Sequence, residues 1–92
     1  MEFKLSDKAK EKMLEMKSNN EPIKLKITGF SWCGAEFGIV SEKQSENDKV
    51  YDAEGIELIV SDELEGAIKG AEIDYSTNFF KKGFEVTPKF SR

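Results

Sequence analysis

The chain has 92 residues, 35% of them charged, and a formal net charge of −4. That length predicts one domain over residues 1–92, with a modest core. With no histidine, and with Arg92 as the only arginine, Ser-His-Asp and Cys-His catalysis, histidine zinc sites and tight reading of nucleic acid are excluded.

Phe3 and Leu5 flank Lys4 in an alternating stretch, which predicts a first strand over 2–5. Ser6 reads as an N-cap with Asp7 in the first turn, favoured by the helix dipole. The helix is expected from Asp7 to about Lys17. Ala9, Met13 and Met16 form its apolar stripe, either core or an adaptable binding surface. Ser18 to Pro22 is a turn by composition. Ile23, Leu25 and Ile27 then alternate with Lys24, Lys26 and Thr28, a strand with one buried face and a lysine face in water.

Gly29 to Ala35 breaks this alternation and holds the only Trp and the only Cys. Strands are expected over 36–42, 49–52 and 56–60, with a polar hairpin loop over 43–48 from which 49–52 pairs back, and a turn at Ala53-Glu54-Gly55. Ser61, Asp62 and Glu63 read as the start of a short second helix to about Ile68, burying Leu64, Ala67 and Ile68 and ending at Lys69-Gly70. Strands over 71–75 and 83–87 follow, the first with Ile73 inside and the second with Phe84 and Val86 on one face. Pro88 suits a strand end. The order predicts an α+β fold: packed mixed or antiparallel sheets with two short flanking helices.

Cys33 is the one residue with an obvious chemical use. Beside glycine in a loop it reads as a metal ligand or nucleophile, or else as a small buried hydrophobe. No nearby cation lowers its pKa, and Glu36 would raise it if close. The alternation of Phe79-Phe80 with Lys81-Lys82 reads as core aromatics and a turn rather than a base-stacking surface, so no nucleic acid is expected. Asp62, Glu63 and Glu65 read as charge at a helix N-terminus. Asp48, Asp52 and Glu54 read as a solvated hairpin. Neither group matches a calcium loop. No apolar run approaches the roughly 20 residues of a membrane span. Met1 to Leu5 does not look like a signal peptide, and a cytoplasmic location is the expectation.

Several segments in sequence carry a resemblance: Ser31-Trp32-Cys33-Gly34-Ala35 between two strands, Gly55-Ile56-Glu57-Leu58-Ile59-Val60-Ser61, Ala71-Glu72-Ile73-Asp74-Tyr75, and Gly83-Phe84-Glu85-Val86-Thr87-Pro88. This order resembles the HesB-like family of A-type iron–sulfur carriers across nearly the whole chain. That family has a Ser-Gly-Cys-x-Gly loop, a Gly-x-x-hydrophobic strand before a short helix, an Ile/Leu-Asp-Tyr/Phe strand and a Gly-Phe-x-hydrophobic-x-Asn-Pro-Asn end. The resemblance implies a compact HesB-like domain with a non-enzymatic role in iron–sulfur cluster assembly or iron handling.

Of the family's three cysteine ligand positions, only Cys33 carries over. The family's Cys-x-Cys pair does not follow Pro88, where the sequence reads Lys89-Phe90-Ser91-Arg92. Thr87 stands where the family has Asn, and Trp32 replaces a small residue. The expectation is therefore a degenerate member. No resident cofactor is read from the residues. An iron–sulfur cluster bridging a homodimer through two Cys33 thiolates would still lack ligands, since a cluster usually takes four protein thiolates. Glu36 or small thiols would complete the set, and Trp32 would shield the cluster or occupy its space. The alternatives are a protein-interaction or regulatory module on the same fold, without a cluster, and a thiol enzyme using Cys33, which lacks an activating partner.

Overall fold

The computed structural model describes residues 1–32, 34–78 and 81–90, with Asn78, Lys81 and Lys82 described by their backbone alone. The first strand, β1 (Glu2–Leu5), leads into the helix α1 (Asp7–Ser18). Ser6 caps that helix as expected, its hydroxyl accepting from the Ala9 amide at 3.1 Å. The same hydroxyl donates to Asp74 at 2.6 Å, which ties the helix start to the sheet beneath it. Ala9, Met13 and Met16 are buried, so the methionine stripe is core.

Four strands follow: β2 (Lys24–Ser31), β3 (Gly34–Val40), β4 (Lys49–Ala53) and β5 (Ile56–Val60). They form one sheet in the order β3-β2-β5-β4, in which β2 and β5 run parallel and the other pairs antiparallel. The last strands, β6 (Ile68–Asn78) and β7 (Lys81–Phe90), form a second sheet with β1, in the order β1-β6-β7. Here β1 is parallel to β6, and β6 is antiparallel to β7. Leu25, Leu58 and Val60 from one sheet, Ala71 and Ile73 from the other, and Met13 from the helix join one buried cluster. Both sheets are thus half-buried, with the apolar alternation that such sheets require.

The expected second flanking helix is not formed. Among the described residues there is one α-helix, and the segment after Ser61 makes only a 3₁₀ turn, Asp62–Leu64. Three local features stop it. The Ser61 side chain makes no capping bond, Glu65 is extended, and Gly66 has φ +80°. Glycine adopts that left-handed conformation readily, whereas a helix cannot continue through it. Ile68 then enters β6 instead of closing a helix. The carboxylates expected at a helix N-terminus serve other elements. Glu63 accepts from the Ile27 amide at 3.2 Å, and Glu65 accepts from the Tyr51 hydroxyl at 2.5 Å. That Glu65 contact raises the Tyr51 pKa, because a neighbouring carboxylate opposes the phenolate.

The lysine face of β2 also differs from its expectation. Lys24 is buried, its ammonium 2.7 Å from Asp48, with side chains 7% and 4% exposed. Asp48 therefore belongs to no solvated hairpin. Its two oxygens also accept from the Ser45 and Asp62 amides. These bonds, led by the one to Lys24, hold its pKa down to about 2. Lys26 does face outward, pairing with Glu42 at 3.1 Å.

Candidate functional site

β2 and β3 run on past the rest of their sheet. β5 pairs with β2 only at Lys24 and Leu25, whereas β3 follows it to Ser31, opposite Gly34. The segment expected to be an irregular loop from Gly29 to Ala35 is thus largely a two-stranded ribbon. Its irregularity is a bulge at Thr28: Ile27 pairs with Phe37, and Gly29 with Glu36. One extra residue in a strand reverses which face each later side chain takes. Phe30 consequently stands opposite Ala35, on the same side of the ribbon as Phe37. That side is the core face prolonged beyond the core, and Phe30 is 80% exposed on it. Trp32 is 98% exposed. Gly34 has φ +121°, a conformation suited to glycine, and the Ser31 hydroxyl donates to its carbonyl at 3.4 Å.

The second sheet extends in a similar way. β6 and β7 continue to Asn78 and Lys81, past the last pairing of β1 at Ile73. Between the β2–β3 ribbon and β7 lies an open cleft of about 710 Å³. Phe37 and Ala35 form one wall, and Phe84, Val86, Pro88 and Phe90 form the other. Phe37 and Phe90 meet edge to face, with centroids 6.2 Å apart. Thr28, Ser31, Glu36, Glu85 and Thr87 supply its oxygens. The Glu36 carboxylate lies over Gly29, where a Cβ would stand 3.6 Å from it.

Cys33, the one predicted ligand, lies outside the described residues, as do Phe79 and Phe80. Among the described residues no group of three or more His, Cys, Asp or Glu side chains converges to hold a metal ion. The oxygens of the cleft are hard donors, whereas iron–sulfur clusters are held mainly by thiolates. The described residues alone do not fit a cluster. No described helix is long and apolar enough to cross a membrane.

The family model for iron-sulphur cluster biosynthesis matches residues 1–89. The chain belongs to that family. Within it, the chain is 22% identical over 86 residues to the human mitochondrial iron-sulfur cluster assembly 2 homolog, covering 92% of this chain and 56% of that protein. It therefore spans little more than half of that relative. It is 30% identical over 78 residues to a Bacillus subtilis (strain 168) protein described as uncharacterized protein SufA, covering 84% of this chain and 65% of that one.

Among solved structures, the Escherichia coli SufA involved in biosynthesis of iron-sulfur clusters superposes with a TM-score of 0.68 at 19% identity, over 94% of this chain and 79% of that one. IscA with its 2Fe–2S cluster gives 0.67 at 10% identity, over 94% and 81%. At these identities the two structures establish a shared fold. The HesB-like, A-type resemblance read from the sequence is thus upheld.

Phe30 and the β7 wall were missed by sequence reasoning. The bulge could have been suspected, because Thr28-Gly29 interrupts an otherwise regular alternation. The partnership of the β2–β3 ribbon with β7 joins segments some 50 residues apart, and no local pattern encodes it.

Proposed function

We propose that this protein is a non-enzymatic, cytoplasmic handler of iron or of an iron–sulfur cluster as cargo, and that Cys33 is its ligand. The family match over residues 1–89 carries the reading. Cys33 is the only thiol in the 92 residues. One thiolate holds a cluster only with others, so the remaining ligands come from a second subunit and from small thiols. Cargo held this way is labile, which suits transfer. In this sense the 92 residues carry a degenerate form of the family's ligand set.

Anaerobic reconstitution with ferrous iron, sulfide and glutathione tests the proposal. The expected result is visible charge-transfer absorption and bound iron, both lost in Cys33→Ser while far-UV circular dichroism is unchanged. A colourless protein, or equal colour in Cys33→Ser, overturns it and leaves a cluster-free interaction module on the family's fold.

A further inference from the structure

We propose that the cleft between β3 and β7 receives an extended peptide segment of a partner protein, which adds as a short strand to the open sheet edges there and carries a basic residue between two apolar ones. The inference concerns a partner and does not depend on iron.

The edges are open because of how the ladders run. The Ser6 amide donates to the Ile73 carbonyl at 2.9 Å, so Ile73 turns its polar backbone groups towards β1. Val86, its partner across the β6–β7 ladder, is then a non-hydrogen-bonded position whose amide and carbonyl point away from β6. Phe84 and Pro88 lie two residues to either side in the same register and share that direction. Pro88 agrees with this, since a residue without an N–H fits a ladder where that group would face outward.

The opposite wall follows the same rule. The Ser61 amide donates to the Leu25 carbonyl at 3.0 Å, which turns Leu25 towards β5. Ile39 opposite Leu25, and Phe37 and Ala35 before it, therefore point their polar backbone groups away from β2. β3 and β7 belong to different sheets, and among the described residues no backbone bond joins them. Two unpaired edges thus border one cleft of about 710 Å³, and consecutive residues, 35–37 and 84–88, line it. An unpaired edge is a template for another strand, and strand addition draws its affinity from main-chain bonds rather than from a large buried area.

The side chains define the occupant. Phe37, Phe84 and Val86 pack against the interior that the two sheets share, so an added strand sets apolar residues over them. Glu36 and Glu85 alternate with these and stand at the outer rim, one on each edge. A residue between two apolar ones lies between those carboxylates, where a lysine or arginine is favoured and an acid is repelled. The stretch is short, because Pro88 offers no donor and Phe90 meets Phe37 at that end.

Titrating the isotope-labelled full chain with a capped peptide of sequence threonine-valine-lysine-valine-threonine, followed by amide nuclear magnetic resonance, tests the proposal. Saturable shifts are expected at the Phe37, Phe84 and Val86 amides. Methylating both valine nitrogens removes main-chain donors but no side chain, and should weaken binding about tenfold or more. Glutamate at the central position should weaken it similarly. Glu36→Lys and Glu85→Lys together should reverse that preference without changing the circular dichroism. Val86→Pro, which removes an outward donor and spares the β6 ladder, should weaken binding of the lysine peptide. Absence of binding overturns the proposal, including the case in which a second copy of the chain already fills the cleft. So do shifts confined to other amides, or binding indifferent to methylation or to the central charge.

Discussion

Gly70 shows how one residue can be legible for the wrong reason. In sequence, Lys69-Gly70 reads as the end of a helix. In the structure Gly70 lies within β6, opposite Glu2 of β1, and a Cβ there would drive into the Glu2 carbonyl oxygen. That atom is backbone and cannot rotate away. Gly70→Ala is therefore expected to force β1 outward and to lower stability by about 1–3 kcal/mol. Gly29 provides the contrast. A Cβ there meets the Glu36 carboxylate at an ordinary 3.6 Å, so Gly29→Ala should stay within about 0.5 kcal/mol of wild type. Urea denaturation followed by far-UV circular dichroism separates the two; equal midpoints would contradict the close approach of β1.

The connection 41–48 is an element in its own right, although it contains no helix or strand. It is not the hairpin expected over 43–48, because β4 pairs with β5 and not with β3: it must carry the chain from β3 at one edge of the four-stranded sheet, past β2 and β5, to β4 at the other. The Lys24–Asp48 pair pins it there, with Ser45 and Glu42 also near the ammonium. Removing one member of a buried pair strands the other, so Lys24→Met should cost about 3–5 kcal/mol.

The same pair predicts a pH dependence. The Asp48 carboxyl is depressed from 3.8 to about 2 by its hydrogen bonds, that to Lys24 foremost. Its contribution is fully present above the unfolded value and is lost as pH falls through the folded one. Asp74 acts in the same direction, held low by Ser6 and the Tyr75 amide. The unfolding free energy should therefore fall between about pH 4 and pH 2, and fall less steeply in Asp48→Asn. Parallel curves for the two proteins would show that Asp48 is not held as described.

Across the whole molecule, stability rests on one shared interior. Met13 reaches it from α1, Leu58 from the four-stranded sheet and Ile73 from the three-stranded sheet, and all three are fully or almost fully buried. A core held in common predicts a single cooperative transition. Met13→Ala should lower the stability of both sheets together by about 2–5 kcal/mol. Native-state hydrogen exchange at amides of β5 and β6 measures this; a loss confined to β6, on which the helix packs, would show that the sheets unfold separately.

Local sequence by itself determined the α+β class, the capped first helix with its methionine stripe, most strand positions and the family. Each rests on short-range chemistry: a hydroxyl at a helix start, alternation of period two, motifs a few residues long. Tertiary structure alone decided the rest. The helix expected after Ser61 gave way to a 3₁₀ turn, because Gly66 turned left-handed and Ile68 was taken into β6. Lys24 left water because a distant loop brought Asp48 to it. Phe30 came to face the cleft because a bulge at Thr28 reversed the ribbon, and the cleft exists only where β3 meets β7. These outcomes depend on pairing between segments far apart in the chain, which periodicity within one segment cannot record.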